Sequence, residues 1–361
     1  MRFQPTLLAA VAILPFASAQ LHELAVKAGL KYFGTATDVG ELNNTEYVKI
    51  LRDKKEFGQL VGSNGQKWFA TEPQENIFNW TMGEVVTDLA KKDKRILRCH
   101  TLVWHSQLAP WVESKSWTKA TLTAAMVNHI TKVAKHWKGQ CYAWDVVNEA
   151  LNEDGTYRNS TFLHHIGPEY IKIAFRAAAK ADPGAKLYYN DYNLERVSDK
   201  TNAARKIIKS LQDDNIRIDG VGLQAHRVAG GTPSLKQQVE NMRKFADLDV
   251  EIAVTELDVR IDLPTNKTNL AQQAVDYANT VEACLTVDAC VGVTVWDFYD
   301  PFSWIPDVFP GQGAGTLWFP DFTKHPAYDA IVKVFRKKIK ENGDDDDHPH
   351  PPLPHHPGNG H

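Results

Sequence analysis

The segment Thr118–Leu151, TKATLTAAMVNHITKVAKHWKGQCYAWDVVNEAL, holds one complete helix–strand unit and sets the reading of the rest of the chain. From Thr118 to Trp137, apolar residues return at three- and four-residue spacing, which predicts an amphipathic helix. Tyr142–Val147 is a short apolar run, which predicts a buried strand, and it ends in the polar pair Asn148-Glu149.

The same pattern recurs on both sides. Strand-like runs lie at Tyr32–Ala36, Gln59–Gly62, Ile96–Leu102, Tyr142–Val147, Lys186–Asn190, Gly220–Gln224, Glu251–Leu257 and Val291–Trp296. Amphipathic stretches follow at Pro168–Ala181, Asp199–Asp213, Ser234–Ala246 and Ala271–Leu285, with a last one at His325–Ile339. Eight strand–helix units predict an α/β fold, a (β/α)8 TIM barrel in a single domain, in preference to an open doubly wound sheet. No GxGxxG or P-loop follows any of the strands, which removes the usual nucleotide-binding alternatives.

The two ends read differently from the body. Arg2, an apolar stretch Leu7–Phe16 and Ala17-Ser18-Ala19 describe a secretory signal peptide over residues 1–19. The barrel is expected over 20–343. From Asp344 the chain reads DDDDHPHPPLPHHPGNGH, which buries too little apolar surface to order, so 344–361 is expected to be a disordered, solvated tail. No later run approaches 18 uninterrupted apolar residues, so no membrane span is expected.

Over 361 residues, 43% are hydrophobic and 24% charged, enough for a large core. A formal net charge of -3 offers no basic face for nucleic acid. Export to an oxidising compartment predicts a Cys284–Cys290 bridge across five residues. If His100 and Asn148 stand level on neighbouring strands, Cys99 and Cys141 lie about 20 Å apart and are expected to be free thiols. Asn43, Asn79, Asn159 and Asn266 each open a possible glycosylation sequon.

In such a barrel, chemistry gathers at the C-terminal strand ends. Those ends carry His100 to His105, Asn148-Glu149, Asn190 to Asn193, Gln224 to His226, Glu256 to Asp258, and Trp296-Asp297. Glu149 and Glu256 come from opposed strands, and two carboxylates across a cleft are what glycosidic hydrolysis needs. Asn148 is suited to hold a sugar hydroxyl, His226 and Asp258 to keep Glu256 ionised, and Trp104, Trp296 and Trp304 to stack on pyranose rings. A metal centre is disfavoured because no HExxH or close ligand pair occurs on a predicted helix, and no GxSxG elbow marks a serine hydrolase.

His100–Val112 (HTLVWHSQLAPWV), Trp144–Leu151 (WDVVNEAL), Tyr188–Glu195 (YYNDYNLE), Gly222–His226 (GLQAH) and Val254–Val259 (VTELDV) together resemble the signature blocks of glycoside hydrolase family 10, in order and from about Leu21 to Lys340. The resemblance implies a secreted, monomeric endo-β-1,4-xylanase that acts on xylan and xylo-oligosaccharides with retention of configuration and without cofactor or metal. It assigns Glu149 as acid/base and Glu256 as nucleophile. It places Asn148, Gln224 and His226 around the sugar at the cleavage point, with Asn64, Lys67, His100, Trp104, Gln107, Asn190, Tyr192, Trp296 and Trp304 lining the cleft.

The chain departs from the family pattern twice. Ser63-Asn64-Gly65-Gln66-Lys67-Trp68 stands where Glu-Asn-Ser-Met-Lys-Trp is usual, so the carboxylate that grips the next sugar is missing. After the eighth strand, the run Trp296-Asp297-Phe298-Tyr299-Asp300 also differs from the commoner Gly-containing version. A serine at 63 is expected to weaken that subsite unless a neighbouring loop supplies a substitute. Two further readings remain open: a related barrel glycosidase acting on β-glucan, and a non-catalytic sugar-binding protein, against which the presence of both carboxylates counts.

Overall fold

The computed structural model describes residues 20–346. Eight parallel strands close on themselves. β1 (Tyr32–Thr37), β2 (Gln59–Gly62), β3 (Ile96–Trp104), β4 (Ala143–Asn148), β5 (Lys186–Asp191) and β6 (Gly220–Leu223) follow in order around the ring. After the short β7 (His226–Val228) come β8 (Glu251–Asp262) and β9 (Cys290–Val295). β6 pairs with β8, β8 with β9, and β9 returns to β1, which completes the barrel. β7 extends the edge of β8 beyond the ring, and β10 (Gln312–Gly313) pairs antiparallel to the far end of β8.

Helices lie between the strands where the apolar periodicity places them: Lys119–His136, Tyr170–Ala181, Asp199–Asp213, Leu235–Ala246, Lys267–Thr286 and Pro326–Asp346 among them. Four are started by side-chain caps at Thr118, Ser198, Ser234 and Asn266, each in a reciprocal capping box. The last helix continues three residues past the expected boundary at Gly343. The expected signal peptide and the tail beyond Asp346 lie outside the described residues.

The interior of the barrel is partly polar. Arg98 of β3 and Asp145 of β4 form a buried ion pair, and the guanidinium lies 4.4 Å from the centre of the Tyr188 ring. Asp145 also meets His100 Nδ1 at 2.9 Å, so this buried pair is tied to the mouth of the barrel. Space for these side chains comes from glycines. A Cβ on Gly222 of β6 would sit 2.1 Å from the Asn190 side-chain oxygen, so only glycine leaves Asn190 room to point inward.

One expectation is overturned. Cys99 and Cys141 are joined by a disulfide, with Cα atoms 5.7 Å apart, alongside the expected Cys284–Cys290 bridge. His100 and Asn148 are not level: His100 pairs with Asp145, and Asn148 pairs with Trp104. Neighbouring strands in a tilted barrel are staggered: Cys99 pairs with Trp144, a three-residue offset that halves the supposed separation. The turn at Gly139, with φ of +76°, then delivers Cys141 beneath Cys99.

Candidate active site

A cleft of about 900 Å³ opens at the C-terminal ends of the strands. Its walls include Asn64, Lys67, His100, Trp104, Gln107, Asn148, Glu149, Tyr192, Gln224, His226, Glu256, Trp296 and Trp304. Glu149 leaves β4 with φ of +56°, a left-handed conformation that a non-glycine residue adopts at a cost of order 1–3 kcal/mol and that turns its side chain off the line of the strand. Ala225, next to His226, has the same kind of backbone, with φ of +63°.

Glu256 is buried, with 4% of its surface exposed, and donors flank both of its carboxylate oxygens. Asn190 Nδ2 donates to its Oε1 at 2.8 Å, and His226 Nε2 meets its Oε2 at 3.1 Å. The other ring nitrogen, Nδ1, lies 2.8 Å from Asp258 Oδ2, and Trp304 Nε1 donates to the same oxygen at 2.7 Å. Burial alone would lower the His226 pKa, but Asp258 and Glu256 together push it up to about 10. The imidazole is therefore a cation at neutral pH, held between two carboxylates. For Glu256, burial would raise the pKa, but the His226 hydrogen bond and the charges of His100 and His226 outweigh it and hold the carboxyl below its ordinary range.

Glu149 is held by neutral donors. Trp104 Nε1 donates to Oε2 at 2.8 Å and Gln224 Nε2 to Oε1 at 3.0 Å. Arg158 Nε donates to the Glu149 backbone carbonyl at 3.0 Å, which fixes the turn without pairing with the carboxylate. The two glutamates belong to one amide network. Asn148 lies 2.8 Å from Asn190 Nδ2 and 3.1 Å from Gln224 Nε2, the donors that serve Glu256 and Glu149 respectively.

At one end of the cleft, Lys67 Nζ donates to Asn64 Oδ1 at 3.0 Å and Gln107 Oε1 at 2.6 Å. Burial lowers its pKa to about 8. The indole of Trp296 stands edge-on to His100 and to His226, with ring centres 5.3 and 6.4 Å away, and Trp304 lies 4.8 Å from His226. Tyr192 receives a hydrogen bond from Arg158 on its hydroxyl, and Lys200 Nζ sits 3.3 Å from its ring centre.

One predicted residue takes a different place. Asn190, expected to line the cleft, is fully buried and orients Glu256 and Asn148 from behind. Asp258, expected to support Glu256 together with His226, is fully buried behind His226. Sequence reading missed Glu41, Arg260 and Phe309, all of which face the cleft, and it placed Asp297 at a strand end without giving it a role. Glu41 follows β1 by only four residues, so the strand-end rule that found the other groups would have pointed to it.

Comparisons with known proteins agree with this geometry. A family model described as "Glycosyl hydrolase family 10" matches residues 20–334. The chain is 54% identical over 330 residues to endo-1,4-beta-xylanase A of Humicola insolens, covering 89% of this chain and 88% of that protein. It is 50% identical over 327 residues to endo-1,4-beta-xylanase D of Talaromyces funiculosus, covering 91% and 80% respectively. Among solved structures it is similar to a GH10 xylanase from Bispora sp. MEY-1 with xylobiose, at 44% identity and a TM-score of 0.85, over 87% of this chain and 99% of that one. Xylanase 10B of Thermotoga petrophila RKU-1 in complex with xylobiose follows at 37% identity and TM-score 0.85, over 89% and 98%.

Proposed function

The chain belongs to glycosyl hydrolase family 10, and from that premise we propose that it is a secreted endo-1,4-β-xylanase that cleaves internal xylosidic bonds by double displacement. The observation that carries this reading is the unequal setting of two glutamates on one cleft. Glu256 is buried against a cationic His226 and its carboxyl is held ionised, as a nucleophile must be. Glu149 has only neutral hydrogen-bond partners within normal bonding distance, Trp104 and Gln224, a setting suited to a group that carries a proton in one step and takes one up in the next.

In the first step, Glu256 Oε attacks the anomeric carbon of the sugar at the cleavage point. The glycosidic C–O bond breaks, and Glu149 delivers its proton to the departing oxygen. In the second, Glu149 removes a proton from water, which attacks the same carbon from the opposite face and releases Glu256. Two inversions return the β configuration. Trp296 and Trp304 offer stacking faces for the sugar rings, while Asn148, Gln224 and His226 surround the reacting unit.

Release of reducing sugar from xylan, with carboxymethyl cellulose run beside it, tests substrate class. Activity on the cellulose derivative alone would move the assignment to a β-glucanase. Glu149→Ala is expected to lose about 10²- to 10⁴-fold on xylan, yet to keep glycosylation by aryl xylobiosides whose phenols leave unassisted. Glu256→Ala is expected to abolish both, and azide to rescue only the Glu149 variant, with retained configuration. Proton NMR of early product is expected to show the β-anomer first; initial α-anomer would reject double displacement.

A further inference from the structure

The two departures from the family pattern, at Ser63 and in the Trp296–Asp300 run, are linked through the hydrogen bonds around Glu41. Ser63 Oγ donates to Asp38 Oδ2 at 2.9 Å, so the serine is engaged with the β1 loop. From that loop Glu41 reaches the cleft wall beside Ser63, Asn64 and Trp296. Its Oε2 accepts from the Asp38 backbone N–H at 2.5 Å and from the Tyr47 hydroxyl at 3.0 Å. The same hydroxyl lies 3.0 Å from Asp297 Oδ2 and 3.0 Å from Thr37 Oγ1.

Tyr47 has one proton to donate among these oxygens, and among the described residues none of Asp38, Glu41 and Asp297 forms an ion pair. Two fully ionised carboxylates could not share the site. Burial raises the Glu41 pKa, and burial together with the Glu41 charge raises that of Asp297 well above the usual carboxylate range. The Tyr47 hydroxyl bridges the two groups, and burial with the Glu41 charge favours an acid–carboxylate pairing in which Asp297 is the acid. Asp297 also occupies a left-handed backbone position, φ +62°, where glycine would sit without strain, so its side chain is present at a conformational cost.

We propose that Glu41, held by Asp297 and Tyr47, replaces the carboxylate absent at position 63 and binds hydroxyls of the sugar one unit beyond the cleavage-point sugar, on the glycone side. The inference rests on Glu149 and Glu256 being the reacting pair. Its placement follows from the geometry of the cleft. Asp297 adjoins Trp296, whose indole stands 5.3 Å from His100 and 6.4 Å from His226, the partner of Glu256, whereas Arg158 donates to the Glu149 carbonyl and to the Tyr192 hydroxyl. The nucleophile faces the sugar whose anomeric carbon is attacked, and the acid faces the departing oxygen. The Glu41 end of the cleft therefore receives the continuation of the attacked sugar.

Aryl β-xyloside fills only the cleavage-point site, whereas aryl β-xylobioside also fills the next. Glu41→Gln is expected to reduce kcat/KM on the xylobioside by roughly tenfold more than on the xyloside, the size of a lost charge-assisted hydrogen bond. Asp297→Gly, which φ +62° accepts without strain, is expected to shift the same ratio in the same direction and serves if Glu41→Gln does not fold. Equal losses on the two substrates, or no loss, overturn the assignment while leaving the proposed function intact. If the wild-type protein turns over neither substrate, the proposed function fails and this inference falls with it.

Discussion

Glu256 with Asp258, and Glu41 with Asp297, are two carboxyl pairs on the rim of one barrel, and they are bridged by different partners. Between the first pair stands His226, within 3.1 Å of one and 2.8 Å of the other, and its positive charge keeps Glu256 ionised. Between the second stands Tyr47, at 3.0 Å from each, which brings a proton but no charge. Asp258 and Asp297 are both buried, and at Asp297 burial and the nearby Glu41 charge drive the pKa well up. Burial sets the cost of charge in both places, and the partner decides whether the charge survives.

The largest effect is expected where the cation is removed. His226→Gln keeps a hydrogen-bond donor but leaves Glu256 and Asp258 facing each other, which is expected to lower stability by about 3–5 kcal/mol at neutral pH. The acid limb of the kcat/KM profile is expected to move to higher pH, because the group that lowers the Glu256 pKa is gone. Since the His226 pKa is raised by folding from 6.5 to about 10, its contribution is fully present below 6.5 and fades as pH rises through about 10. The stability gap between wild type and variant is expected to narrow across that window. An unmoved acid limb would sink the role given to the cation.

A smaller loss is expected from Trp304→Phe. It deletes the indole N–H bond to Asp258 Oδ2 and is expected to cost about 1.5–3 kcal/mol in chemical unfolding. An unchanged midpoint would mean that His226 alone holds Asp258.

Asp297→Asn addresses the other pair. The amide reproduces the protonated acid, its oxygen still placed to accept from the backbone N–H groups of Phe298 and Tyr299. With its folded pKa raised, Asp297 keeps a proton that the unfolded chain releases above its ordinary value of 3.8, so wild-type stability falls relative to the variant as pH rises from there. The slope of the difference is expected to be at most about 1.4 kcal/mol per pH unit. Parallel pH–stability curves would show that Asp297 is ionised in the folded protein and would remove the acid–carboxylate pairing.

Much of this molecule is legible in its sequence, for a local reason. Asp199–Asp213 and Gln59–Gly62 have the expected bounds because apolar periodicity and a capping serine act within a few residues of themselves. Strand ends are legible too, since an apolar run must stop where the chain leaves the core, so Glu149, Gln224, His226, Glu256 and Trp296 could be assigned to one rim.

Three findings depend on distances between strands and could not be read from spacing. The Cys99–Cys141 bridge follows from a three-residue offset between β3 and β4 at Cys99. The burial of Asn190 follows from Gly222 on the neighbouring strand. The pairing of Glu41 with Asp297, 256 positions apart in sequence, follows from β1 lying beside β9. Periodicity and composition decided which side chains reach the mouth of the barrel. Only closure of the sheet, with its stagger between neighbouring strands, decided which carboxylate received a cation and which received a proton, because charge is settled by contacts that no single segment contains.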